Sequence, residues 1–138
     1  MRFMVIVKAD KRTEAGVLPT AQELETMGAY NEQLIKAGIL RDGAGLQPSS
    51  KGARVTFRNG KTQVTDGPFT ETKELIAGYW IIDVASKADA IEWARRVPFA
   101  ALPGDGREPE LEIRQFYEIS DFPVAPQSVI DQEKSFPR

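Results

Sequence analysis

Two hydrophobic periods alternate along this chain, one of two residues and one of about 3.6, and their succession predicts its elements. Phe3 to Val7 is apolar on both alternating faces and predicts a first strand. Residues 9 to 19 are polar and predict a connector. Thr20 then reads as a helix N-cap, with Glu23 three residues on as its capping-box partner. Leu24, Met27, Gly28, Asn31, Leu34 and Ile35 follow helical spacing, and Ala37-Gly38 ends the helix. Ile39 to Gln47 predicts an extended segment in which Gly43 and Gly45 mark a bulge or a close backbone approach. Asn59-Gly60, between Arg54–Arg58 and Lys61–Thr65, predicts a hairpin with a two-residue turn. Tyr79 to Val84 is a further strand, and Ser86 caps a helix from about Lys87 to Val97. Its apolar stripe is Ala90, Trp93, Ala94 and Val97, and Pro98 stops it. Leu111 to Tyr117 is the last strand. One domain over residues 1–118 follows, with a proline-punctuated surface tail over 119–138.

Without the hairpin the order is βαββαβ, an α+β, ferredoxin-like plan with a β-hairpin insertion. Two helices then cover one face of an antiparallel sheet. Phe3, Val5 and Val7 share an apolar face with Trp80, Ile82 and Val84, and Leu111 and Ile113 join them. The opposite face is mixed: Met4 and Ile6, then Tyr79, Ile81 and Asp83, then Glu112, Arg114 and Phe116. A monomer would leave those apolar groups in water, and such a patch marks an interface. The expectation is a face-to-face homodimer whose sheets enclose a semi-polar cleft.

Composition narrows the chemistry. The chain has 138 residues, 18 Lys plus Arg against 20 Asp plus Glu, a formal charge of −2, and neither cysteine nor histidine. Disulfides and thiolates are excluded, as is the side chain that most often serves as a base or metal ligand near neutrality. The charge balance leaves no footprint for nucleic acid. No apolar run approaches the ~20 residues of a membrane-spanning helix. Met1 to Lys8 reads as a strand rather than a signal peptide, which implies a cytoplasmic protein. Gly43-Ala44-Gly45 lacks the remainder of a phosphate-binding or dinucleotide fingerprint, and no cofactor is called for.

Three segments carry a family resemblance: Gly45-Leu46-Gln47-Pro48, Val64-Thr65-Asp66-Gly67-Pro68-Phe69-Thr70-Glu71-Thr72-Lys73-Glu74, and Ala90-Ile91-Glu92-Trp93-Ala94. They resemble the YCII-related family, also called the DGPF-domain family, with aligned features from Met1 to about Tyr117. The resemblance implies a dimeric α/β-barrel of ferredoxin-like subunits and no settled activity. Some members carry a His–Asp pair suspected of catalysis, a role this histidine-free chain cannot inherit. Some accompany sigma factors of the extracytoplasmic-function type, which implies a regulatory setting.

Each candidate residue has a structural and a functional reading. Asp66 either closes a turn, with Phe69 plugging the core, or projects into the cleft as a carboxylate base. Glu71 and Lys73 belong either to a capped, solvated turn or to a site for an anionic substrate. Arg114 offers a planar fork to a carboxylate or phosphate, or it pairs with Asp83 or Glu112. Tyr79 and Asp83 share a face and are both candidates for binding substrate; Tyr79 stacks on a ligand ring or packs an interface, and Asp83 otherwise pairs with Arg114. Asn31 lies at the edge of its helical stripe, or bonds a strand end, or touches a ligand. Two functions follow. One is a homodimer whose inter-subunit cleft binds a small organic molecule, with cofactor-independent proton transfer, isomerisation or oxygenation as its chemistry. The other is a non-enzymatic binding or regulatory module with a protein partner.

Overall fold

The structure is a computed structural model that describes residues 1–137. Its main sheet contains β1 (Arg2–Lys8), β2 (Leu40–Gly45), β5 (Ile76–Asp83) and β6 (Leu111–Gln115), in the order β2-β5-β1-β6. Every neighbouring pair is antiparallel. The helices are α1 (Lys11–Glu14), α2 (Ala21–Lys36), α3 (Lys87–Arg95) and α4 (Gln127–Lys134). With β1, α2, β2, β5, α3 and β6 taken in order, this is the ferredoxin-like arrangement. β3 (Ala53–Arg58) and β4 (Lys61–Asp66) form the inserted hairpin, a separate two-stranded sheet.

Local chemistry explains the boundaries. Thr20 Oγ1 accepts from the Glu23 N–H, and Glu23 accepts in return from the Thr20 N–H. Ser86 accepts from the Asp89 N–H at the start of α3. At the hairpin turn Asn59 takes φ 50° and Gly60 φ 72°, as a twist-matched two-residue turn demands. The polar connector holds an element the hydrophobic pattern did not reveal. Asp10 accepts from the Thr13 N–H while Thr13 Oγ1 accepts from the Asp10 N–H, and this reciprocal cap starts α1. After β6 the chain makes a short turn at Ile119–Asp121 and then α4.

The core lies between the sheet and the helices α2 and α3. Phe3, Val5, Trp80, Ile82 and Val84 are buried on the sheet side, with Tyr30, Leu34, Ala90 and Val97 opposite. α2 is rotated from the expected stripe: Tyr30 and Leu34 are buried, whereas Leu24 is 59% and Ile35 55% exposed. Tyr30 accounts for the rotation. Its ring meets Trp80 edge-on at 5.4 Å, and its hydroxyl donates to the Trp93 carbonyl oxygen at 2.8 Å. One side chain thereby ties α2 to the sheet and to α3.

Burial pushes the Tyr30 phenol up to about 12 from its ordinary value of 10.0, against an opposing pull from Arg96. The folded chain therefore holds this proton more tightly than the unfolded chain. Stability from Tyr30 is intact below pH 10 and declines as pH rises towards about 12. A thermal-melting series across that range should show the decline. Tyr30→Phe should flatten it, at a cost of about 1 kcal/mol for the lost hydrogen bond. An unchanged alkaline profile would assign the decline to other groups.

Candidate functional site

Side chains are missing from one strip of the helix-covered face. The register opposes Gly43 to Trp80 and Gly45 to Gly78, and Gly78 to Val7 on the other flank. At the Gly78 end, β5 and its β2 neighbour therefore lack side chains, while Val7 stands on the β1 flank. α2 crosses above with Leu24, Met27, Asn31 and Ile35 turned towards the gap, too far to fill it. The result is an open cleft of about 1610 Å³ between α2, the sheet and the loop before β6. Its volume exceeds an ordinary small-ligand pocket, because its mouth spreads over the surrounding loops. A shallower depression of about 660 Å³ lies by Asp83, Asp89, Glu92 and Arg96, and no strip of absent side chains underlies it.

Trp80 forms the inner wall. A Cβ on Gly43 would stand 3.2 Å from Trp80 Cδ1, so glycine there leaves the indole face open to the cleft. Trp80 Nε1 donates to Asn31 Oδ1 at 2.8 Å, which fixes the ring and leaves the Asn31 amide N–H groups unused among the described residues. Asn31 thus combines a helix-edge position with a place on the cleft wall. No group of three or more His, Cys, Asp and Glu among the described residues could hold a metal ion. No helix among them is long and apolar enough to cross a membrane.

The structure does not gather the six sequence-derived candidates into one place. Arg114 lies on the mixed face, Tyr79 turns its hydroxyl to that face although the residue also lines the cleft, and Asp83 lines the depression beside α3; each has an intrachain partner. Tyr79 Oη donates to Asp42 at 3.2 Å, and that bond raises the phenol above its usual value. Asp83 accepts from the chain's amino terminus at 3.1 Å and from Arg41 at 3.5 Å, and the first of these holds its carboxyl below the usual range. Arg114 donates to Glu112 at 3.4 Å and is otherwise 72% exposed. Asp66, Glu71 and Lys73 are exposed on the hairpin side of the molecule. The Asp66 carboxylate makes no hydrogen bond or ion pair among the described residues, and only Lys73 of these three lines the cleft.

The Asp66-Gly67-Pro68-Phe69 segment instead docks the hairpin. The Gly67 N–H donates to the Gly52 carbonyl oxygen at 3.0 Å, and the Phe69 N–H donates to Ser49 Oγ at 3.0 Å. Ser49 in turn donates from its N–H and its hydroxyl to Glu14 on α1. Arg54 stacks over the Phe69 ring, 3.7 Å from its centroid. The half-buried Phe69 is thus covered by the hairpin's own arginine and does not enter the main core. Across the cleft mouth, Asp105 pins the loop before β6 to α1. Its carboxylate accepts from the backbone N–H groups of Lys11 and Arg107, which lower it to about 2.

The topology defines an α+β, ferredoxin-like protein with a cleft on the helix-covered side of its sheet. The chain belongs to the YCII-related domain family, whose sequence model matches residues 1–116. It is 38% identical over 72 residues to an uncharacterized protein of Rhizobium meliloti (strain 1021), a match that spans 52% of this chain and 58% of that one. Among solved structures it is similar to 5-chloro-2-hydroxyhydroquinone dehydrochlorinase from Burkholderia phenoliruptrix AC1100, in complex with 2,5-dihydroxybenzoquinone. That likeness covers 88% of this chain and 98% of the other at 12% identity and a TM-score of 0.48, too slight to carry residue roles.

Proposed function

We propose that this chain binds a small organic molecule in the cleft between α2 and the sheet. The single observation behind the proposal is the strip of absent side chains at Gly43, Gly45 and Gly78, which leaves the Trp80 indole as an apolar wall. Two copies join as a homodimer through the mixed sheet face, so that each subunit keeps its own cleft on the outer side. Asp66 does not line that cleft, so the proposal is binding and carries no proton-transfer, isomerase or oxygenase step. A second reading, a regulatory module for a protein partner, is favoured by the exposed apolar face of the hairpin. Val55 is 53% exposed there, Val64 64% and Phe57 79%.

The test uses Trp93→Phe protein, in which Trp80 is the remaining indole. The neutral apolar probe N-phenyl-1-naphthylamine is expected to quench Trp80 emission saturably. Gly43→Leu, which fills the space against the ring, should weaken that binding about tenfold or more, a change of roughly 1.4 kcal/mol. No saturable quenching, or equal binding by the filled variant, would count against the cleft and favour the partner-binding module.

A further inference from the structure

We infer that the cleft's ligand is an amphipathic anion, a carboxylate or similar head group on an apolar body, with the head held at the rim by Arg12, Lys51 and Lys73. The inference depends on the cleft being a binding site. All three cations line it. None has a hydrogen bond or ion pair from its side chain among the described residues.

Backbone and side-chain hydrogen bonds draw these three onto neighbouring elements. Arg12 is half-buried on α1. The Ala9 N–H donates to the Leu75 carbonyl oxygen at 2.9 Å, which brings the turn Thr72–Glu74, and Lys73 with it, beside the start of α1. Glu14 on the same helix accepts from Ser49, which brings in the turn Ser49–Lys51. Two turns thus flank α1, and each adds a lysine to its arginine. Glu71 and Glu74, close to Lys73 in sequence, do not pair with it.

The carboxylates of the cleft do not neutralise this rim. Asp10 and Glu23 are taken up by the caps of α1 and α2. Asp105 faces Arg107 at 3.0 Å. Glu108 and Glu110 remain; the Glu110 backbone lies on the β6 side of β1, where the Lys8 N–H reaches its carbonyl oxygen. Ala9 meets Leu75 on the β5 side. The Glu110 backbone and the chain entering from the Lys73 turn are therefore separated by β1, about two strand spacings or ~9.6 Å. The rim has a basic pole on the β5 side, and the wall running inward from it is Gly78, Trp80 and the exposed apolar residues of α2. A basic mouth over an apolar wall selects a molecule with the same division.

The experiment is displacement of N-phenyl-1-naphthylamine by decanoate and by decanol, which share an apolar chain and differ in charge. Decanoate should displace the probe about tenfold more effectively, the sum that several part-exposed ion contacts provide. That advantage should shrink as salt is raised. In the triple variant Arg12→Gln, Lys51→Gln, Lys73→Gln, and to a lesser degree in Lys73→Gln alone, the ratio should fall towards one. If both compounds displace the probe equally and the variants do not alter the ratio, the anion inference is overturned while the cleft stands as a binding site. If neither displaces a probe that does bind, the cleft's preference for chain-like amphiphiles is overturned. If the probe itself fails to bind, the cleft reading falls first.

Discussion

Gly67→Ala is expected to detach the hairpin from the body of the protein. A Cβ at this position would lie 2.6 Å from the Ser49 carbonyl carbon and closer still to its oxygen, and both are backbone atoms that cannot swing aside. The chain on either side is held, by Gly67 to Gly52 and by Phe69 to Ser49. Relief therefore requires the Ser49 turn and the hairpin to part. The expected cost is about 3 kcal/mol, the upper end for overpacking. Denaturant unfolding should report it as a lower midpoint. Limited proteolysis should show new cleavage near Asn59-Gly60 before global unfolding, since a free two-stranded hairpin is marginal in water. A variant as stable and as resistant as the parent would mean that the Ser49 contact does not hold the hairpin.

This prediction also shows what the sequence contained. Asp66-Gly67-Pro68-Phe69 stands out as a dense segment, and its structural reading includes a Phe69 plug and a glycine-dependent turn. The partner of the glycine was hidden, because Ser49 lies 18 residues upstream and its turn carries no distinctive composition. The capping box of α2, the Ser86 cap of α3 and the Asn59-Gly60 turn were legible, since each is decided by residues three or fewer apart. Asp10-x-x-Thr13 carries the same signal with the polar types exchanged, and it could have revealed α1. The cleft was not legible in this way. It arises from Gly43, Gly45 and Gly78, which belong to two strands and meet only through their register. Sequence marks each glycine as a bulge or close approach; only the pairing turns them into an unoccupied strip. Tyr30 was missed for a related reason, since its polar end is satisfied by a carbonyl 63 residues away.

A monomer–dimer shift is the second large expected effect, and it rests on the face opposite the cleft. Met4 pairs with Ile81 and Ile6 with Tyr79 across β1 and β5, giving a compact apolar block of half-buried side chains. Charge encloses that block. Arg2 and Asp83 face each other at one end, and Lys8 lies at the other, 3.2 Å from Glu112. Arg114 and Glu112 oppose Met4 and Ile6 along the β6 edge, and Asp42 bonds Tyr79 along the β2 edge. An apolar centre with a rim of ion pairs is the anatomy of a protein–protein interface. In the proposed dimer, the acids and bases of this rim would meet one another when the face is turned upon itself. Sedimentation at micromolar concentration should therefore give twice the mass of the chain. Ile6→Asp combined with Ile81→Asp should give the single-chain mass, because burying two unpaired carboxylates costs several kcal/mol. The fold should survive, since both side chains point away from the core. A folded single chain in the unmodified protein would remove the dimer, yet the cleft would persist, because every residue of its wall belongs to one subunit.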